Sequence, residues 1–198
     1  MRKILIGLLS GTFFVAAASS ANAAETSPTP STDHPISVAA FGGYGFNNSL
    51  DSNAKDSFNL YGAGFGVRAG YTLPMKLYLG GMFQYNLGSE LEGTTGKTRG
   101  RVMNLGGEVG YNFDVAQFTI RPYVGAGVGI AGGDIKGLDE HDNKVKFSVW
   151  PGVQGLYNVT DQLYAGIDAR YTFIFTDLGP GGGNANAIGV YGTVGYRF

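Results

Sequence analysis

The last twelve residues, AIGVYGTVGYRF (187–198), alternate strictly between two kinds of side chain. Ile188, Val190, Gly192, Val194, Tyr196 and Phe198 share one parity. Ala187, Gly189, Tyr191, Thr193, Gly195 and Arg197 share the other. A period of two marks a strand, because successive side chains along a strand point to opposite faces. One face here is apolar and ends in aromatics; the other is small and polar. An ordinary soluble sheet can carry one such strand. What constrains the fold is that the pattern recurs along the whole chain.

Eight alternating segments follow one another, at 36–46, 58–73, 77–87, 101–113, 117–131, 144–157, 162–175 and 187–198. In each, one parity is apolar (Phe65, Val67, Ala69 and Tyr71 in the second; Leu163, Ala165, Ile167 and Ala169 in the seventh). The other parity carries glycine, amides and charge. The connections alternate as well. Short turns are expected at 74–76, 114–116 and 158–161. Longer polar loops are expected at 47–57, 88–100, 132–143 and 176–186. Apolar-out, polar-in strands with alternating short and long connections are the pattern of an outer-membrane barrel. The expected fold is therefore all-β: an eight-stranded antiparallel up-and-down transmembrane β-barrel. Its even strand number puts both termini on the periplasmic side, with the short turns.

Composition agrees. The chain has 34 glycines and 13% aromatic residues. Glycine is disfavoured in ordinary strands, but it fits the crowded interior of a small barrel. The outward aromatics fall into two groups, as expected for girdles at the two membrane interfaces. Tyr71, Tyr111, Phe113, Phe118, Tyr157, Tyr196 and Phe198 lie near the short turns. Tyr44, Phe46, Tyr61, Phe83, Tyr85, Phe147, Phe173 and Phe175 lie toward the long loops.

Three domains follow. Residues 1–23 read as a signal peptide: Arg2 and Lys3 precede an apolar run, and Ala21-Asn22-Ala23 fits the small-x-small cleavage rule at Ala21 and Ala23. Residues 24–35, AETSPTPSTDHP, read as a disordered periplasmic linker. Residues 36–198 form the barrel. Losing Arg2 and Lys3 takes Lys+Arg from 14 to 12 against 15 acidic residues, a net charge of about −3. That balance excludes a basic nucleic-acid footprint. The absence of cysteine excludes disulfides and thiolate sites.

Charges on the polar parity are the candidate site. Arg68, Glu108, Arg121, Asp168 and Arg170 all face the expected lumen. If Asp114-Val115 forms a tight turn, counting back sets Glu108 opposite Arg121, tying strands four and five. Side chains nearly fill an eight-stranded lumen, so these charges read as a structural plug. The excess of arginine over carboxylate, with many inward glycines, supports an alternative: a narrow porin-like channel for small anionic solutes.

The fifth segment, IRPYVGAGVGIA (120–131), and the ending VGYRF (194–198) resemble the small eight-stranded outer-membrane β-barrels of Gram-negative bacteria. The nearest are OmpA-like transmembrane domains and OmpW-like members of the outer membrane protein β-barrel family. The resemblance implies a place in the cell outer membrane, amid its lipid and lipopolysaccharide. It implies that Tyr196 and Phe198 are a C-terminal signal for the barrel-assembly machinery. It carries no expectation of peptidoglycan anchoring. An extracellular ligand would be met by the loops.

Other patterns weigh less. Gly127 to Gly132 matches G-x-G-x-x-G, but a polar loop is expected after it where a dinucleotide site needs a helix; no cofactor is expected. Asp134, Asp139, Glu140, His141 and Asp142 make an acidic loop without EF-hand spacing, so divalent binding stays a minor reading. An outer-membrane enzyme is the least favoured alternative. Its nucleophile would need a positioned base; the two histidines are His34 in the linker and His141 at a loop tip, neither on a strand beside a serine, which leaves His141-Asp142 with a loop serine such as Ser89. The expected function is a structural or surface-interaction protein with a largely plugged lumen.

Overall fold

A computed structural model describes residues 34–47, 61–93, 96–134, 144–175 and 185–198. Eight strands follow in chain order: β1 Ile36–Asn47, β2 Gly62–Thr72, β3 Leu77–Gly93, β4 Gly96–Tyr111, β5 Phe118–Asp134, β6 Lys144–Asn158, β7 Leu163–Ile174 and β8 Ala185–Arg197. A short piece, Phe113–Val115, carries β4 on past Asn112 along β5. Each strand pairs antiparallel with the next. β1 also pairs with β8, from Ser37↔Arg197 to Asn47↔Ala187, which closes the ring. Closure leaves no unpaired sheet edge, the condition for a β-structure to survive in lipid.

The parity read from the sequence sets the two faces. On β2 the exterior takes Phe65 and Val67, and the interior takes Gly64, Gly66 and Arg68. On β8 the exterior takes Ile188, Val190, Val194 and Tyr196, and the interior takes Ala187, Tyr191, Thr193 and Arg197. Both aromatic groups stand outward with one exception. Tyr61, expected in the upper girdle, is buried with Val102, Ile174 and Ala187 at the long-connection end of the lumen. Gly62 has φ of +46°. That left-handed residue breaks the alternation, so the side chain before it faces in rather than out.

Two connections differ from expectation. The polar stretch at 88–100 is largely strand: β3 and β4 stay paired out to Gly93↔Gly96, with a register shift between Leu87 and Glu90. Its polar, glycine-rich sequence lacks apolar alternation, yet the backbone ladder continues. The turn after β4 also lies two residues later than expected. Val115 pairs with Phe118, and Ala116 takes the left-handed conformation with φ of +51°. Asp114 stays in the wall, accepting a hydrogen bond from the Thr119 hydroxyl at 2.7 Å and pairing with Lys76 at 3.3 Å. The register shifts by four, so Glu108 faces Gly125 and not Arg121.

Residues 1–33, which include the expected signal peptide with Ala21 and Ala23 and most of the linker, lie outside the described residues. So do Asp139, Glu140, His141 and Asp142 of the acidic stretch. The glycine-rich run from Gly127 to Gly132 is part of strand β5.

Candidate functional site

Glycine and bulk alternate on the inner wall, and this fills the lumen. The Trp150 indole lies over Gly125, where a Cβ would collide with its ring. Tyr78 covers Gly70 and Gly80, Tyr164 covers Gly195, and Tyr191 covers Gly189. These inward glycines therefore seat large rings, while Gly64 meets the Asn86 amide and Gly106 and Gly127 meet each other's backbone. Their missing side chains are not left as open space.

Halfway along the lumen, all eight strands meet in one cross-section. β2 brings Arg68 and β4 brings Glu108. Arg68 Nε and Nη2 donate to Glu108 Oε2 and Oε1 at 2.6 and 3.0 Å, a bidentate pair. The Trp150 Nε1–H of β6 donates to the same Oε1 at 2.9 Å. β7 brings Asp168 and Arg170. Asp168 accepts from Tyr123 of β5 at 2.8 Å and from Gln154 of β6 at 3.0 Å. Arg68 Nη1 lies 2.8 Å from Asp168 Oδ2, an ion pair outside hydrogen-bond alignment. Arg170 Nε lies 3.4 Å from Asp168 Oδ1. The Arg170 guanidinium stacks on Phe41 of β1 at 4.6 Å and Tyr191 of β8 at 4.3 Å, and it donates to the Met82 sulfur of β3.

Two arginines thus face two carboxylates, and all four side chains are almost fully buried: Arg68 3%, Glu108 5%, Asp168 0% and Arg170 3% exposed. Buried charges persist when paired and hydrogen-bonded on their remaining atoms. Both carboxylates meet this condition. On Arg170, ring faces make up for sparse acceptors.

Toward the long connections lies an amide layer. Gln84 donates to Tyr191 at 2.6 Å, and Ser148 donates to Asn104 at 3.1 Å. Toward the short turns the chemistry changes. Arg121 donates to Asn112 at 2.6 Å and to Gln154 at 3.2 Å, and stacks on Tyr78 at 4.0 Å. Arg197 stacks on Tyr164 at 4.6 Å. Among the described residues, neither has a carboxylate within ion-pair distance.

Of the five charges singled out in the sequence, four come together: Arg68, Glu108, Asp168 and Arg170. Arg121 stands apart, in the short-turn layer. Sequence reasoning did not single out Arg197, Trp150, Tyr191, Met82 or Phe41 as part of the charged interior. Parity was the available signal, since each shares the inward parity of its strand. Tyr196 and Phe198 stand on the exterior with rings 4.9 Å apart, and the Tyr196 hydroxyl donates to Gln162 at 2.6 Å. His34 is half-buried before β1; Ser89 lies in β3. Among the described residues, no three His, Cys, Asp or Glu side chains gather as a metal site.

A closed antiparallel ring, apolar and aromatic-girdled outside and polar inside, defines an integral outer-membrane β-barrel. The chain belongs to the outer membrane protein beta-barrel domain family, whose model matches residues 10–198. Among solved structures it is similar to a major outer membrane protein from Thermus thermophilus: 14% identity, 83% of this chain and 98% of that one, TM-score 0.57. It is similar to Neisserial surface protein A at 20% identity, covering 82% of this chain and 97% of that one, with a TM-score of 0.51. The N-terminal β-barrel domain of Pseudomonas aeruginosa OprF matches at 18% identity over 83% of this chain and 98% of that one, TM-score 0.47. No curated protein sequence matches the chain.

Proposed function

We propose that this barrel is a structural and surface-interaction protein of the outer membrane whose lumen is closed to solutes. The cross-section to which every strand sends a side chain carries this reading. Arg68, Glu108, Asp168 and Arg170 cancel in charge there, and the rings of Phe41, Tyr123, Trp150 and Tyr191 wall them in. An ion on this path would have to displace matched pairs in a low-dielectric interior, and separating them costs several kcal/mol. The arginine excess that favoured an anion channel is not located at this constriction; it lies below it. Both termini and the three short turns face the periplasm in this reading, and the four longer connections face outward, where a ligand or lipopolysaccharide is met. The leader at 1–23 delivers the chain, and the Tyr196/Phe198 ending engages the barrel-assembly machinery.

The test is single-channel recording in a planar bilayer. The refolded protein should pass no steady current. An Arg68→Ala/Glu108→Ala double variant removes one matched pair and leaves Asp168 and Arg170 balanced. It should open discrete conductance steps while keeping the β circular dichroism of the native barrel. A steady anion-selective current through the native protein would overturn the closed lumen in favour of the channel.

A further inference from the structure

The lipid-facing side of the wall is not uniformly lined. Outward residues that pair across neighbouring strands form rows around the barrel. In one row Ala69 of β2, Gly81 of β3, Gly107 of β4 and Ala126 of β5 stand side by side. The rows on either side of it are bulky. Val67, Phe83, Leu105 and Val128 run along one flank, and Tyr71, Leu79, Val109 and Val124 along the other. Together they make a trough one side chain deep. Two hollows lie end to end in it, about 380 Å³ over Ala69 and Gly81 and about 500 Å³ over Gly107 and Ala126.

The wall itself does not need the two glycines of the floor. A Cβ at Gly81 would meet Gly106 O at 3.5 Å, and a Cβ at Gly107 would meet Gly80 O at 3.7 Å, both ordinary contacts. The inward Gly106 is different, because a Cβ there would collide with the backbone of β5. Glycine weakens a strand, and no steric contact calls for it at 81 or 107. Gly155, also outward, stands between Ile120 and Ile167 and continues no such row. The trough also has a direction. Its low end lies in the girdle, at Val38 and two residues from Tyr71, whereas Ala126 is eight residues from Phe118. Three strand spacings of about 4.8 Å, tilted by about 40°, lift it by about 9 Å. It therefore ends near the middle of an apolar band about 25 Å tall. That is the path of a hydrocarbon chain within one leaflet, from headgroup level to the bilayer centre. A second barrel would press along the whole height of the wall.

We propose that this trough binds one acyl chain of a phospholipid from the leaflet on the short-turn side. Against lipid, hydrocarbon gains nothing by leaving water, so the hold comes from packing: the chain meets the protein on three sides and not on one. The site requires only that the barrel stands in a membrane. Calling its leaflet periplasmic rests on the orientation given above, and the closed lumen plays no part.

The experiment is native mass spectrometry of the refolded protein, released into detergent from vesicles of phosphatidylethanolamine. The native barrel should keep one phospholipid through detergent exchange. In Gly81→Leu/Gly107→Leu the retained fraction should fall by about tenfold, because the new side chains occupy the space in which dispersion contacts to the chain form. Gly155→Leu adds the same bulk to the outer wall elsewhere and should retain lipid as the native protein does. Gly81→Ala/Gly107→Ala puts only a methyl group at each open position and should give an intermediate loss, whether or not the bulkier pair folds. β circular dichroism checks the fold of each variant. A native barrel that keeps no lipid, or equal retention by the native protein and both double variants, would overturn the site. So would a two-barrel species that Gly81→Leu/Gly107→Leu abolishes, which would assign the trough to a second copy of the chain. Lipid retention and conductance are separate readouts, so an empty trough leaves the closed lumen standing.

Discussion

The two faces of the barrel wall are built from the same strands, residue by residue, yet they ask different things of the sequence. The outer face asks only for a class of side chain. Val67, Leu105, Val124, Ile167 and Val190 meet lipid without a directional partner. The inner face asks for particular residues at particular heights. Glu108 is met by one arginine fork and one indole N–H, and Asp168 by a phenol, an amide and two arginines. Lipid is a uniform solvent, so outward positions are interchangeable within their class. A packed polar lumen has no solvent to fall back on, so each buried group needs its own partner.

The largest effect should come from cutting the inner network at its most connected point. Asp168→Ala deprives Arg170 of its carboxylate, takes one of two from Arg68, and orphans the Tyr123 hydroxyl and Gln154 amide. Breaking a buried pair from one side typically costs about 3–5 kcal/mol. Equilibrium denaturant unfolding from lipid vesicles should show a loss of that size. Next comes a charge on the outer face. Ile167 is four residues from Leu163, which pairs with the girdle residue Tyr196, and four from Tyr171. Placed midway across the band, Ile167→Arg should cost about 2–4 kcal/mol, with Ile167→Leu nearly silent. If Asp168→Ala were as mild as Ile167→Leu, the inner face would be as permissive as the outer, and the plug would lose its energetic basis.

Legibility in the sequence follows the same division. Parity alone assigned faces along all eight strands, because lipid sorts side chains by polarity and nothing finer. It also placed Arg68, Glu108, Asp168 and Arg170 in one interior. Their partners were out of reach, because partners depend on register, and register depends on turns. Asp114 is a turn-forming residue by type, so the sequence predicts the turn there. The chain instead turns at Ala116, which takes a backbone conformation that alanine seldom adopts. That displacement exchanged Arg121 for Gly125 opposite Glu108, and with it the identity of the ion pair. The hairpin beyond Leu87 was missed for the opposite reason. Its strands are held by backbone pairing without apolar alternation, the one signal by which the others were recognised. Tyr61 was misplaced because a single left-handed glycine resets parity.

The smallest effect is the sharpest test of the two faces, since it uses one substitution type on one kind of residue. Gly125 faces inward beneath Trp150, and Gly155 faces outward with nothing within 4 Å of where a Cβ would stand. Gly125→Ala pushes a methyl group into a rigid indole. That ring cannot swing aside without breaking its N–H bond to Glu108 at 2.9 Å. Overpacking of this kind costs about 1–3 kcal/mol. Gly155→Ala adds a methyl group to the lipid face of a strand. It should leave stability within about 0.5 kcal/mol of the native value or raise it slightly, because alanine loses less backbone freedom on folding. Trp150 is the only tryptophan in the chain, so its fluorescence separates the two results directly. Gly125→Ala should shift the emission as the indole moves off Glu108, and Gly155→Ala should not. Equal penalties at both positions would mean that glycine is required by the curvature of the wall. An inner-face penalty alone means that glycine is there to seat the ring that closes the lumen.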